Sequence, residues 1–294
     1  MNKKIEMDEG RVGETFENGI ASQKVSIWQA AVLVVFFLFA FFPVWKGLVN
    51  AWSNSEDYSH AFLILPISMY LVWMKKQDLA KVSVCMSKVG FSLFLFFLSL
   101  YLFSFFAKIS TVAAASMVLT LVALVWTLYG TQVTKLIAFP LFFLFLMVPI
   151  PSQIYSAATI PLQLFVSKVS TLIAAGFEIP VYREGNVLHL PERTLQVVEA
   201  CSGLRSIISL FTLSLVLGYL ALARNISRVV LAFSSLPIAL LVNIVRVLVM
   251  LMAFHFFNID LTSGTLHTYF GLIIFFLALV LLYFTARILS VWER

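Results

Sequence analysis

Charge is scarce in this sequence. Of its 294 residues, 12% are Asp, Glu, Lys or Arg, where a soluble chain carries about a quarter. There are two cysteines, Cys85 and Cys201. They lie far apart, which excludes a disulfide framework and a paired-cysteine zinc motif. No Gly-rich phosphate loop and no His-Glu-x-x-His pattern occurs. Asp57, His60, His189 and His267 are the conceivable metal donors, but they contain no pair at i,i+4. The reading therefore calls for no metal and no cofactor. A net charge of +6 without a basic patch interleaved with aromatics excludes a nucleic-acid partner. Internal repeats and low-complexity tracts are also missing.

Apolar sequence fills the space. Hydrophobic residues make up 61% of the chain and the mean hydropathy is +0.99. Several nearly uncharged runs of roughly 17 to 25 residues match the length that crosses about 30 Å of hydrocarbon. The composition predicts an all-α integral membrane protein in contact with the lipid bilayer. Eight segments are expected to cross: Ile27–Val49, Ala61–Met74, Phe91–Ala107, Val112–Tyr129, Leu136–Val148, Ile207–Ala223, Val229–Phe256 and Tyr269–Leu289. Residues 1–26 are too long and too acidic for the start of a signal peptide and read as a mobile cytoplasmic tail. No linker separates a second domain, so residues 27–294 read as one transmembrane domain.

Lys and Arg set the expected orientation. Lys75, Lys76, Lys81 and Lys88 share one loop, Arg224 and Arg228 another, and Arg287 and Arg294 the tail. With these inside, the N-terminus is inside too. Lys108 then falls outside as a minor exception. Residues 152–176 break the alternation. Ser152, Ser156, Thr159, Gln163, Ser167 and Ser170 recur at spacings of three and four, which draws a polar stripe along a helix. Such a helix is expected to be amphipathic or re-entrant, lying in the interface or walling a wet cavity; the alternative is an ordinary span with a polar packing face, which would force a different topology. After it, Glu184-Gly185-Asn186 signals a turn in a short extended outer loop.

That loop leads into Val-Val-Glu-Ala-Cys-Ser-Gly-Leu-Arg-Ser, residues 197–206. Cys201 stands at the start of an apolar helix, where free backbone N–H groups and the helix dipole favour a thiolate. Those N–H groups, with Ser202 and Gly203, can also hold an oxyanion. Taken locally, Cys201 reads either as inert packing or as a nucleophile. Cys85, in a Lys-rich loop, reads as inert. Arg205 lies four residues on, on the same face, and either snorkels to lipid phosphate or serves a thiolate or a substrate carboxylate.

Arg246 lies deep in an apolar span, with Asn243 on the same face. A charge there is costly unless it faces the interior or a hydrated cavity, so it marks a site or locks the bundle. His267 opens the last span and shares the outer side with Cys201, within the range of roles open to a general acid or base. His60, at the outer end of the second span, and His189, in the outer loop, are further candidates. His255, near the end of a span, reads as packing or as an interface residue. A depth problem remains, because Arg246 lies about twelve residues, or roughly 18 Å of helix, before Asn258.

Four blocks together resemble the exosortase/archaeosortase family of membrane-embedded cysteine enzymes: Tyr58 to Trp73, Glu199 to Ser206, Asn243 to Val247, and His267 with Gly271 and Phe275. They occur in the family's order and span most of the chain. Ala-Cys-Ser-Gly-Leu-Arg is the most specific of them. Ala61 stands where the resemblance leads one to expect Gly. No fused C-terminal domain of the kind some relatives carry is expected after the last span. The resemblance implies a catalytic Cys201, Arg246 and His267; beside it, the reading of the residues themselves offers Ser202, Gly203, Arg205, Asn243 and His60 as substrate or oxyanion support. It implies a cysteine protease/transpeptidase that cuts membrane-anchored, exported proteins at a C-terminal sorting signal. That signal is a Pro-Glu-Pro-like motif, a transmembrane helix and a basic cluster. An unknown acceptor nucleophile would resolve the acyl-enzyme. The implied setting is the inner membrane of a bacterium making extracellular polysaccharide. The rival reading is a transporter or channel with Arg246 in an anion site, and a non-catalytic scaffold is a third.

Overall fold

The computed structural model describes residues 27–191, 193–196, 203–262 and 264–293. The tail at 1–26 and the segment holding Cys201 and Ser202 lie outside the described residues, as does the side chain of Arg205. The chain divides into two compact units, one ending at Pro149 and the other beginning at Ile150.

The first unit is helical. Helix α1 is Ile27–Ala40 and α2 is Phe42–Asn54. They meet at a 72° bend, so the single expected span is broken. Pro43 near the start of α2 cannot continue an upstream helix, and Phe41 at the bend is buried. A short 3-10 turn leads to α3, Ala61–Met74, and to a small helix α4, Lys76–Leu79. Helices α5, Lys88–Phe106, and α6, Ser110–Leu136, form a close pair. Ser87 caps α5 by accepting from the Gly90 N–H at 3.1 Å. A Cβ on Gly90 would lie 2.6 Å from the Thr127 nitrogen, so only glycine lets α5 start this near α6. Gly130, at φ +81°, kinks α6, and a Cβ there would overlap the Cys85 carbonyl. Cys85 itself is exposed rather than packed. The unit closes with α7, Ala138–Phe143, and a 3-10 turn through Met147. Ser68 donates to the Pro140 carbonyl at 2.8 Å, and Trp52 to the Met147 carbonyl at 3.0 Å.

The second unit begins with α8, Ser152–Gly176. A small antiparallel sheet follows, in the order β1 (Tyr182–Glu184), β2 (Val187–Leu190), β3 (Arg193–Gln196). The turn between β1 and β2 falls at Gly185 and Asn186, as the sequence predicts, with Gly185 at φ +64°. Helices α9, Gly203–Ala221, α10, Asn225–Phe257, and α11, Gly264–Trp292, complete the unit. Leu188, Leu190 and Leu195 from the sheet pack with Val166 of α8 and with Val247 and Leu251 of α10. Leu210 of α9, Leu231 and Val242 of α10, and Ala278 and Leu282 of α11 form a second apolar cluster.

Polarity is inverted relative to a soluble domain. Ser104, Ser116, Thr120, Ser167, Ser214 and Ser235 are buried, while Phe36, Phe39, Phe96, Phe103, Ile273 and Phe276 are exposed. Small hydroxyl residues let helices approach, and lipid rather than water receives the large apolar side chains. Most of these hydroxyls bond to carbonyls of their own helix, as Thr120 does to Ser116 at 2.7 Å. The chain is a multi-pass membrane protein.

Five helices are long and apolar enough to cross, or six if the bent α1–α2 pair is one span. Eight crossings are not shown. Three of the eight expected segments form shorter apolar helices, Ala61–Met74, Ala138–Met147 and Ser206–Ala221. Conversely, α8, expected to leave the alternation, is 25 residues long and apolar enough to cross. Its polar stripe turns inward in part: Thr159, Ser167 and Ser170 are buried, whereas Ser152 and Ser156 are exposed. Ser167 Oγ donates to the Gly185 carbonyl at 3.0 Å, and Asn186 Nδ2 to Gln163 Oε1 at 3.4 Å. Part of the stripe therefore holds the β1–β2 turn.

Candidate active site

Helix α10 is 33 residues long, about 50 Å at 1.5 Å per residue. It stops at Asn258, which takes a left-handed conformation, φ 54°. The Ile259 N–H then reaches back to the Ala253 carbonyl at 3.1 Å, a Schellman-type stop. The chain turns through Asp260, Leu261 and Thr262 into α11, where His267 falls in the first turn.

Two candidates separated by 21 positions meet here. Arg246 Nη2 lies 3.2 Å from His267 Nε2. The other ring nitrogen, Nδ1, lies 2.9 Å from the Leu261 carbonyl. A carbonyl oxygen only accepts, so Nδ1 carries the hydrogen. A guanidinium only donates, so Nε2 receives from Arg246. The two contacts assign a single neutral tautomer to His267 with its Nε2 lone pair turned toward Arg246.

Arg246 is held closely from other sides. A Cβ on Gly271, one turn after His267, would stand 3.5 Å from Nη2. The guanidinium thus lies over bare backbone of α11. Its Nε is buried and has no hydrogen-bond partner among the described residues. A cavity of about 10 Å³ beside it is lined by Asn243, Phe275 and Ser206 of α9, among others. That is room for roughly one water. Asn243 is only 8% exposed and shares the buried face of α10. Ser206 shows that the start of α9, five positions after Cys201, reaches the edge of the Arg246 cavity.

His60, just before α3, belongs to the first unit. Its Nδ1 lies 3.1 Å from the Asp57 carbonyl, and its Nε2 is buried without a hydrogen-bond partner among the described residues. Burial lowers its pKa, opposed by the backbone hydrogen bond and the charge of Asp57. His189 is engaged within the sheet, 3.4 Å from Glu184 and 3.2 Å from Thr194 Oγ1. His255 is exposed beside Phe256 near the end of α10. Among the described residues no three His, Cys, Asp or Glu side chains gather as a metal site.

Sequence reasoning missed the Leu261 carbonyl, the close approach at Gly271 and Ser206. Only the Asp-x-Thr spacing at 260–262 signals the tight turn that presents Leu261.

Helices with apolar exteriors, and a half-buried Arg–His contact between two of the longest, define a multi-pass membrane protein with a polar site between its helices. The chain belongs to the transmembrane exosortase family, whose model matches residues 52–284. Membership implies an enzyme of the protease/transpeptidase type that processes sorting signals. Comparison with curated proteins gives no match, and neither does comparison with solved structures.

Proposed function

We propose that the protein is an intramembrane cysteine transpeptidase with Cys201 as nucleophile and Arg246 and His267 as its partners. The carrying observation is the 3.2 Å contact between Arg246 and His267, two residues that sequence analysis singled out separately. Ser206 on the same cavity supports the reading. Cys201 stands five positions before Ser206 in the sequence.

The chemistry follows acyl transfer. Cys201 loses its proton to His267 Nε2, and the thiolate attacks the scissile carbonyl of the sorting signal. Amides at the start of α9, with Ser202 and Gly203, hold the oxyanion. His267 returns the proton to the leaving amine, a thioester forms, and an acceptor nucleophile or water resolves it. Proton transfer sets an imidazolium beside the guanidinium, and the thiolate supplies the opposing charge. Arg246 thereby favours the ionised sulfur and the oxyanion that follows. Arg205 and Asn243 support substrate or oxyanion, and His60 is retained as a supporting candidate from the first unit.

The length of α10 supports an outward-facing site. From Arg228 to Arg246 is 18 residues, or about 27 Å. With Arg228 at the inner interface, Arg246 falls near the outer boundary of a roughly 30 Å hydrocarbon core. The depth problem then disappears, because the rest of α10 projects beyond the core. Substrates are exported proteins anchored by a Pro-Glu-Pro-like motif, a transmembrane helix and a basic cluster, in a bacterial inner membrane.

The test is a co-expressed reporter carrying such a signal. Cys201→Ala leaves the reporter uncut while the enzyme accumulates normally in the membrane. Normal cutting by that variant sinks the proposal. If Arg246→Ala alone disables the protein and Cys201→Ala does not, the anion-transport reading takes its place.

A further inference from the structure

His267 is oriented by one backbone carbonyl, so the question is what holds that carbonyl. The peptide linking Leu261 to Thr262 contributes two groups. Its C=O faces His267 Nδ1 at 2.9 Å. Its N–H, which belongs to Thr262, donates to Asp260 Oδ1 at 2.8 Å. The Thr262 hydroxyl donates to the same oxygen at 2.6 Å. A peptide unit is planar, with its N–H and C=O pointing in opposite directions. Gripping the N–H therefore fixes where the C=O points. Hydrogen bonds aligned in series also polarise one another.

We propose that Asp260 is a positioning residue for His267, acting through the Leu261–Thr262 peptide. Resting on the role of His267 proposed above, this makes Asp260 Oδ1, the peptide, the imidazole and the Arg246 guanidinium one continuous chain of hydrogen bonds. Asp260 acts through the peptide group. Its carboxylate oxygen holds the Leu261 carbonyl toward Nδ1, which keeps the hydrogen on that nitrogen. Nε2 stays unprotonated and turned toward Arg246 until it receives the thiol proton. Without this hold the loop at 258–262 has other ways to turn, and the imidazole can adopt the other tautomer, with its lone pair on the wrong nitrogen. The arrangement assigns the same task to a peptide group that a buried carboxylate performs where it contacts an imidazole directly.

The proposal requires an acceptor oxygen at position 260, so substitutions should grade by that property. Asp260→Asn keeps an acceptor in place. Asp260→Ser keeps a shorter, weaker one. Asp260→Ala keeps none. Two readouts apply, both on the full chain in lipid nanodiscs. The first is the ¹⁵N spectrum of the histidine ring nitrogens, simple here because the sequence has 4 histidines, with the His267 signals assigned by their loss in His267→Gln. Wild type and Asp260→Asn show Nδ1 protonated. Asp260→Ser shows a mixture, and Asp260→Ala loses the preference. The second is turnover of the sorting-signal reporter. Asp260→Ala lowers kcat by about tenfold to a hundredfold, the scale of a misplaced catalytic group, with KM little changed. Asp260→Asn restores it. An unchanged tautomer in Asp260→Ala overturns the proposal, and so does an Asp260→Asn that behaves like Asp260→Ala. Should Asp260→Ala fail to accumulate, the contrast between Asp260→Ser and Asp260→Asn carries the same decision. The ring spectrum reads the tautomer whether or not Cys201 is the nucleophile. Failure of the enzyme reading is thereby separable from failure of this one.

Discussion

At the residue scale, Arg246 is placed by what is missing beside it. Gly271 presents no side chain, and the guanidinium occupies the space over its backbone. A Cβ at 3.5 Å from Nη2 is ordinary contact, so Gly271→Ala should be tolerated. Gly271→Val adds carbons directed at the guanidinium and should displace it from His267. We expect Gly271→Val to lower reporter processing by tenfold or more, roughly the cost of a misplaced catalytic group, with normal enzyme levels by immunoblot. Equal processing by both variants would show that the packing of Arg246 on α11 does not matter. Arg246 and His267 were legible one at a time: a charge inside an apolar run needs a reason, and a histidine at a helix start has few bland roles. Their contact was not legible. Nothing in a spacing of 21 positions states that two helices bring them to 3.2 Å. The Cys201 part of the site is outside the described residues and rests on the proposal.

At the element scale, close approach decides helix pairing. Gly90 lets the start of α5 rest on the backbone of α6 at Thr127, and the Trp126 carbon would lie 2.8 Å from any Cβ there. Gly47 of α2 has nothing within 4 Å of a Cβ. Gly90→Ala should therefore destabilise by about 1–3 kcal/mol. Gly47→Ala should be neutral or mildly stabilising, since alanine favours a helix over glycine by up to about 1 kcal/mol. Thermal midpoints in detergent separate the two, and an unaffected Gly90→Ala would contradict the packing described. The long helices α5, α6, α10 and α11 were readable from hydropathy, since apolar length alone specifies them. The bend at Phe41 and the kink at Gly130 were not. Both interrupt apolar runs without changing their composition. The stripe on α8 was visible as a pattern of hydroxyls. Its partner, the turn at Gly185 and Asn186, emerges only once α8 and the sheet pack together.

At the scale of the whole molecule, the distribution of Lys and Arg gives a topology to test. Cys85 is exposed in the loop shared by Lys75, Lys76, Lys81 and Lys88, expected inside. Glu184 is exposed on the sheet, expected outside. In a Cys201→Ser background, a membrane-impermeant maleimide applied to spheroplasts should spare Cys85. It should label the cysteine introduced by Glu184→Cys. Labelling of Cys85 without permeabilisation would invert the orientation and move the proposed site to the other side. The sequence by itself determined that this chain lives in a bilayer, which polar residues break its apolar runs and which family motifs it holds. Those properties follow from composition and local order, and solvent transfer acts on each segment separately. Only the tertiary structure decided that α10 runs well past the hydrocarbon thickness, that α11 returns beside it, and that a peptide at Leu261 sets the tautomer of His267. Those depend on where one helix ends relative to another. Inside a membrane, such packing is chosen by small residues and hydrogen bonds rather than by the hydrophobic effect that marked the spans.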